Sequence, residues 1–230
     1  MDENSLEKVA HLLSQSRLGI GLIPRPPDNL IPHSEFAGYA AQAEVNRILR
    51  MAKYGSIVGH KIGCTTSVMQ KFLGIDHPCA GEIFASTVYS SGVDLPLSKF
   101  NRIGVECEIA VRIGRDMLGL KGPYTSESVG SSVKAVMAGI ELVDDRYEDY
   151  KQLNAASLIG DNFFNAGAVL GEESEKWQDL NLRSITGILK INGRELAKGY
   201  GMDILGDPFE ALAWIANHRA KLGAPLLAGS

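Results

Sequence analysis

Cysteines are scarce in this chain of 230 residues, and long apolar runs are absent. Cys64, Cys79 and Cys107 match no CxxC or zinc-ligand spacing, and an odd number of thiols cannot pair completely. We therefore expect reduced, mostly buried cysteines without disulfides. The longest stretch without Asp, Glu, Lys or Arg is Ile83 to Val93, eleven residues with four Ser or Thr, which cannot cross a membrane.

Basic runs and a secretory leader are also lacking. The 23 Lys plus Arg and 27 Asp plus Glu give a formal net charge of −4, which argues against nucleic acid as a partner. The chain opens with Met1, Asp2 and Glu3, whereas a signal peptide needs a basic region there. We expect a cytoplasmic protein that does not bind membranes. Its 45% hydrophobic and 22% charged residues are typical of a globular chain with a substantial core.

Two helices are predicted within residues 1–55. Asn4-Ser5-Leu6-Glu7 has a capping-box pattern and precedes apolar residues at helical spacing. Ser34 is expected to cap a second helix that ends near Gly55. The inward residues of that helix are expected to be Phe36, Tyr39, Ala40, Ala43 and Ile48. We interpret residues 1–55 as an N-terminal helical unit, because the proline-rich loop between the helices is too short for a domain linker.

Strand patterns dominate from residue 56 onward, interrupted by a short predicted helix from Ser67 to Leu73. Alternation is clearest from Ile103 to Ile113 and predicts a half-buried strand. A helix is expected to begin near Thr125 and to include Val133, Val136 and Met137, followed by a strand that starts at Gly139.

The last part of the chain contains a hairpin signal and a helix signal. Asn192-Gly193 between alternating segments predicts a tight β-hairpin, and Asp207-Pro208-Phe209-Glu210 predicts a capped helix that stops at Gly223. Strands and helices do not alternate regularly, which favours an α+β fold. We expect residues 56–230 to form one catalytic domain, with the whole chain compact.

Two glutamates alternate in the longest predicted strand, at Glu106 and Glu108. Residues two apart in a strand share a face, so both carboxylates point the same way and repel each other unless a cation lies between them. Two ordinary surface acids are the alternative. Glu141 lies in a second apolar strand, where a buried glutamate needs a partner. Three carboxylates from two strands would suit Mg²⁺ or Mn²⁺ rather than zinc.

Lys61 lies in an apolar, glycine-containing segment just before a helix start that is rich in hydroxyl groups. A lysine near a metal can bind a carboxylate or move a proton, and Thr65 and Thr66 can help to hold an anion. A lysine that extends from a strand end into solvent is the alternative interpretation.

Several motifs occur in an order that resembles the 2-keto-4-pentenoate hydratase and 4-oxalocrotonate decarboxylase family, within the fumarylacetoacetate hydrolase-like superfamily. They are Lys61-Ile62-Gly63-Cys64-Thr65, Leu73-Gly74-Ile75-Asp76-His77-Pro78, Glu106-Cys107-Glu108-Ile109-Ala110, Glu141-Leu142-Val143-Asp144, Asp161-Asn162, and Gly201 through Leu205-Gly206-Asp207-Pro208. The resemblance implies a mixed β-roll and a divalent metal held by Glu106, Glu108 and Glu141. It also implies an active-site lysine at Lys61 and substrates that are 2-hydroxy-dienoates, handled as their 2-oxo tautomers.

Two features differ from the family pattern. Hydratases of the family have an acid directly after the Gly-x-Asp-x-Pro motif, whereas Cys79 follows Pro78 here. Glu82 and His77 are candidates to take over proton transfer, although both residue types are also common in surface turns. The C-terminal strands that complete the roll are expected to be missing, since the chain stops at Ser230.

The sequence therefore predicts a metal-dependent hydro-lyase that hydrates a 2-hydroxy-2,4-dienoate during the breakdown of aromatic compounds. Decarboxylation of a 4-oxalocrotonate-like diacid is the nearest alternative, and hydrolysis of a C–C bond is another. A non-catalytic paralogue or partner subunit is the alternative from a different class. An exposed sheet edge near the C-terminus predicts a homo-oligomer, and a hydratase/decarboxylase complex is a second arrangement.

Overall fold

The computed structural model describes residues 1–19, 21–119 and 122–230. Two helices come first, α1 at Glu3–Leu18 and α2 at Glu35–Leu49. Ser34 caps α2 as predicted, and its side chain accepts from the Ala37 N–H. The cap of α1 is Asp2, whose carboxylate accepts from the Ser5 N–H at 2.7 Å, so this helix begins before the predicted Asn4 box.

The buried face of α2 differs from the predicted one. Phe36 is 87% exposed and Ala43 is exposed, whereas Gln42 and Asn46 are buried. Hydrogen bonds explain the rotation, because Gln42 donates to the Ala80 and Ile159 carbonyls and Asn46 donates to Glu82. Buried polar groups with partners are tolerated in a core, and an apolar pattern does not reveal them.

The remaining elements follow residue 56. The strands are β1 Ile57–Gly63, β2 Cys79–Phe84, β3 Val88–Ser90, β4 Ile103–Ile113, β5 Val133–Asp144, β6 Asn165–Leu170, β7 Thr186–Ile191 and β8 Arg194–Tyr200. The helices are α3 Ser67–Leu73, α4 Ser126–Val129, α5 Ala155–Gly160 and α6 Pro208–Lys221. No helix among them is long and apolar enough to cross a membrane, as far as the chain is described.

Three sheets organise these strands. β1 pairs with β2, β7 pairs with β8, and the central sheet has the order β3-β6-β5-β4. The β3–β6 pair is parallel and all other strand pairs are antiparallel. This mixed sheet with helices packed around it confirms the predicted α+β class and the β-roll.

The segment after Thr125 contains less helix than predicted. The α-helix has only the four residues of α4 and is followed by a 3₁₀ turn at Gly130–Ser132, while Val133, Val136 and Met137 belong to β5. Pairing with β4 and burial of Val136 and Met137 favour the strand, since β-branched residues fit a pleated surface better than a helix.

The predicted hairpin and final helix are both present. Asn192 and Gly193 have φ angles of 51° and 77°, the left-handed values that a type I′ turn requires. The Asp207 carboxylate caps α6 by accepting from the Phe209 N–H at 2.8 Å, with Pro208 in the first position.

Two apolar clusters make up the core. The first joins α1 and α2 to β2 and α5, and the second joins α6 to the end of β4 and to α4. Cys64 and Cys79 are buried in the first cluster, as expected, whereas Cys107 is exposed on β4. Because α1 and α2 share their core with later elements, the division of the chain at residue 55 stays a prediction.

Candidate metal centre and cavity

Pairing of β4 with β5 brings the three predicted glutamates together. Glu106 lies opposite Glu141, and Glu108 lies opposite Gly139, so all three carboxylates project from one face of the sheet. Each offers an oxygen, and these oxygens lie within 4.8 Å of one another. Glu141 is buried and Glu108 is partly buried, while Glu106 is exposed.

Lys61 reaches the same place from β1. Its Nζ lies 3.1 Å from Glu141 Oε1 and 3.3 Å from the Phe163 carbonyl oxygen, to which it donates. The lysine side chain is only 10% exposed. Gly81 faces it on β2, and a Cβ at that position would lie 3.0 Å from Lys61 Cγ. The glycine therefore makes room for the lysine stem.

The carboxylates and the ammonium change each other's proton affinity. Burial raises the pKa of Glu108 to about 7, and the charge of Glu141 adds to the effect while Lys61 opposes it. Burial also raises the pKa of Glu106. For Lys61, burial lowers the pKa, but the charges of Glu141, Glu106 and Glu108 together outweigh it and leave the pKa above its usual value.

The donor set fits a divalent cation. Three carboxylates and one ammonium leave a formal charge of −2, in a place where water screens poorly. Oxygen ligands of this kind suit Mg²⁺ or Mn²⁺. A bound divalent ion would cancel the excess charge and offset the repulsion by Glu141 that adds to the raised pKa of Glu108.

A cavity of about 230 Å³ opens beside these residues, bounded by β1, the central sheet and α6. Near the cluster, the cavity is lined by the charged residues Lys61, Glu108 and Glu141 and by the uncharged polar residues Thr65 and Asn165. The rest of the lining is mainly apolar, for example Ile62, Val88, Met137, Leu170, Leu212 and Ile215. With a divalent cation on the glutamates, the cavity would suit a small molecule that is anionic at one end and apolar at the other.

Two predicted proton-transfer residues lie elsewhere. Glu82 is held by Asn46 Nδ2 and Arg219 Nη1, each at 2.9 Å, and does not line the cavity. The His77 imidazole is 39% exposed, with Nε2 lying 3.0 Å from Glu35 Oε1. The geometry does not bring either side chain to the carboxylate cluster, and their catalytic role stays a prediction.

The two predicted threonines have different surroundings. Thr65 lines the cavity, so its place agrees with a role in substrate binding. Thr66 is the N-cap of α3, where its hydroxyl oxygen accepts from the Met69 N–H at 3.4 Å. A capping hydroxyl is already committed to the backbone, which leaves Thr66 less free to hold a ligand.

Asn165 is a site residue that the sequence reasoning missed. Its Nδ2 donates to Glu141 Oε1 at 2.8 Å, and the residue is 2% exposed. An asparagine at the head of the apolar segment Asn165–Leu170 was the available signal, because a buried amide requires partners.

Comparison with known proteins identifies the class to which this fold and carboxylate cluster belong. The model of the fumarylacetoacetate (FAA) hydrolase C-terminal family matches residues 75–229, and the chain belongs to this family. The match covers the strands that carry Glu106, Glu108 and Glu141.

Within that class, the similar curated proteins are hydratases. The 2-keto-4-pentenoate hydratase of Burkholderia vietnamiensis is 33% identical over 228 residues, which cover 99% of this chain and 86% of that protein. The TodF product hydratase of Pseudomonas putida is 30% identical over 227 residues, covering 98% and 82%. These relatives confirm two predictions, that the protein is an enzyme of the hydratase type and that it belongs to the predicted family.

A solved structure with the same fold is 4-oxalocrotonate decarboxylase from Pseudomonas putida G7, complexed with magnesium and adipate. It superposes with a TM-score of 0.91 at 22% identity, over 100% of this chain and 86% of that one. At this identity the similarity shows the fold.

Proposed function

We propose that the protein is a metal-dependent hydratase that converts a 2-hydroxy-2,4-dienoate into a 4-hydroxy-2-oxo acid. The observation that carries the proposal is the cluster of Glu106, Glu108 and Glu141 beside buried Lys61, at the charged end of an apolar cavity. The names of the relatives, 2-keto-4-pentenoate hydratase and 2-hydroxypent-2,4-dienoate hydratase, support this substrate class.

The three glutamates would hold Mg²⁺ or Mn²⁺. When bound, the ion supplies Lewis-acid polarisation of the 2-oxo carbonyl. The chain's own contribution begins with Lys61, whose ammonium can neutralise the carboxylate of an incoming substrate anion. The apolar walls would keep bulk water away from the diene. Only the water that adds to the carbon chain would have to reach it.

Proton movement is also assigned to Lys61. Conversion of the dienol to the 2-oxo form shifts a proton from the hydroxyl oxygen to carbon. Lys61 is a proton donor at the charged end of the cavity, where its Nζ lies 3.1 Å from Glu141 Oε1. The glutamate charges hold this proton on Lys61, and a bound divalent ion would offset them, so that the lysine could then release a proton near the substrate and take one back. Water then adds to the double bond conjugated to the carbonyl.

Decarboxylation of a 4-oxalocrotonate-like diacid is the second candidate. Cys79 replaces the acid expected after Pro78, and the geometry brings neither Glu82 nor His77 to the cavity, which favours a reaction without a water-activating acid. The cavity argues against the diacid. Besides Lys61, its described cation is Arg112, whose guanidinium donates to Glu173 and to the Gly229 carbonyl.

The test is turnover with the metal added back. With Mn²⁺ or Mg²⁺, 2-hydroxypenta-2,4-dienoate should lose its dienol absorbance and yield 4-hydroxy-2-oxopentanoate by mass spectrometry. Glu108→Gln, which keeps the shape and removes a charge, should stay folded and lose nearly all turnover. No product from the dienoate, with CO₂ release from the diacid, would reverse the order of the two candidates.

Self-association is the further part of the proposal. The β7–β8 hairpin leaves Ile188, Leu196 and Tyr200 about half exposed, and none of the three belongs to either core cluster. Burial of such residues between copies would remove apolar area from water. We therefore assign the hairpin to a homo-oligomer contact.

A further inference from the structure

Two donors hold the same oxygen of Glu141. Asn165 Nδ2 lies 2.8 Å from Glu141 Oε1, and Lys61 Nζ lies 3.1 Å from that atom. With Oε1 engaged twice, Oε2 is the Glu141 oxygen without a hydrogen-bond donor among the described residues. Glu141 is 6% exposed, so water does not compete readily for either bond.

Asn165 is itself fixed through its backbone. Its N–H donates to the Asn162 carbonyl at 3.1 Å, and its carbonyl accepts from Arg146 Nη2 at 3.3 Å. Because both backbone groups and the side-chain amide are bonded, the asparagine has little freedom to turn away from Glu141.

The segment before Asn165 has an unusual backbone. Asn162, Phe163 and Phe164 have φ angles of 53°, 48° and 63°, three consecutive left-handed residues without glycine. Left-handed backbone is unfavourable for residues that carry a Cβ, so surrounding contacts must hold this left-handed turn. The Phe163 carbonyl in the same turn accepts from Lys61 Nζ at 3.3 Å.

A buried ion cluster supplies those contacts. Asp161 is 0% exposed and accepts from Arg17 Nε at 2.9 Å and from Arg146 Nη2 at 3.0 Å. Arg17 also donates to the Asp161 carbonyl. The cluster ties α1 and the segment just after β5 to the residue that precedes the left-handed turn. Removing one partner of the cluster would leave a buried charge unpaired.

We propose that Asn165 is a positioning residue for the metal centre: together with the left-handed turn 162–164, it orients Glu141 so that one chosen oxygen faces Glu106 and Glu108. The same turn sets Lys61 through the Phe163 carbonyl. This inference rests on the proposed function, because it assumes that the three glutamates bind a divalent ion. Residues that orient ligating carboxylates typically change metal affinity 10–100-fold when replaced.

The experiment measures metal binding without substrate. Mn²⁺ affinity is determined by calorimetry for the wild type and for Asn165→Leu, which keeps the volume and loses the donor. We expect affinity to fall about 10-fold or more. The electron paramagnetic resonance spectrum of the bound Mn²⁺ should also change, because Glu141 Oε1 then keeps only the Lys61 donor and the carboxylate is held less firmly.

Gln42→Leu is the matched control. Gln42 is another buried amide with two hydrogen bonds, and its partners are the Ala80 and Ile159 carbonyls rather than a glutamate of the cluster. We expect this variant to melt at a lower temperature while its Mn²⁺ affinity and spectrum stay those of the wild type. Equal weakening in both variants would overturn the positioning role, because general loosening of the fold would then explain it.

Other outcomes are equally decisive. An unchanged Mn²⁺ affinity and spectrum in Asn165→Leu would refute the inference while leaving the proposed function intact. If the wild type binds no Mn²⁺, the proposed function fails first. Should Asn165→Leu not fold, Asn165→Ser replaces it, and its smaller side chain is expected to weaken Mn²⁺ binding at least threefold; wild-type affinity in that variant would overturn the inference.

Discussion

At the scale of single residues, the environment of each charge decides its behaviour. Lys61 keeps its proton because three glutamates surround its ammonium. His60, the preceding residue in β1, has surroundings that lower its pKa instead. Burial lowers the pKa of His60 to about 3, and the nearby positive charges of Arg219 and His218 add to the effect. Its buried Nδ1 has no hydrogen-bond partner among the described residues.

The low pKa of His60 predicts a pH-dependent stability. In the unfolded chain its pKa is near 6.5, so below that pH the unfolded state binds a proton that the folded state refuses until about pH 3. Stability is therefore lost as the pH falls from about 6.5 towards 3, by about 2 kcal/mol at pH 5. Urea unfolding at pH 7.5 and pH 5 measures the loss.

His60→Leu provides the comparison, since it removes the titrating ring at similar volume. The variant should lose about 2 kcal/mol less than the wild type between the two pH values. An identical decline in both proteins would show that His60 does not carry this pH dependence.

At the scale of elements, the β1–β2 pair is shaped to leave space for a long side chain. Gly81 lies opposite Lys61, and a Cβ there would meet both Lys61 Cγ and the Asn162 carbonyl oxygen at 3.0 Å. Such contacts are too close to be relieved without movement of the lysine or of the left-handed turn. The glycine is therefore part of how the sheet positions the site.

Gly81→Ala should displace Lys61 without unfolding the protein. We expect turnover to fall about 10- to 100-fold, because small misplacements of a reacting group are costly, while the melting temperature changes little. Steady-state kinetics and a thermal melt check both. Gly59→Ala is the stability control, since a Cβ at Gly59 meets nothing within 4 Å. Wild-type turnover in Gly81→Ala would contradict the spatial argument.

At the scale of the whole molecule, two separate apolar clusters hold the fold together. α1 and α2 pack with β2 and α5, and α6 packs against β4. The β7–β8 hairpin belongs to neither, and its residues Ile188, Leu196 and Tyr200 stay 46%, 53% and 46% exposed. A monomer would leave these three side chains partly in water.

Light scattering at micromolar concentration tests the expected homo-oligomer. The measured mass should be a multiple of the 24.8 kDa chain. Leu196→Glu should lower that mass, because the introduced charge would have to be buried in the contact. A wild-type mass of one chain would exclude the homo-oligomer under these conditions, and an unchanged oligomer in Leu196→Glu would place the contact elsewhere.

Local patterns alone predicted much of the molecule. The caps at Ser34 and Asp207, the Asn192-Gly193 turn and the shared face of Glu106 and Glu108 follow from rules that act within a few residues. The proximity of Glu141 to Glu106 and Glu108 could also be predicted, because a buried carboxylate in a second strand requires a partner.

Contacts between distant parts of the chain decided the rest. Glu82 pairs with Arg219, and Asn165 joins the predicted Lys61 in holding Glu141. Arg17, in the first helix, donates to Asp161, which lies 144 residues further along the chain. No local pattern encodes such pairs, since burial of a polar side chain depends on which partner the fold brings within hydrogen-bond distance. The sequence alone therefore predicted the cluster of three glutamates, and only the tertiary structure decided which side chains hold Glu141 in it.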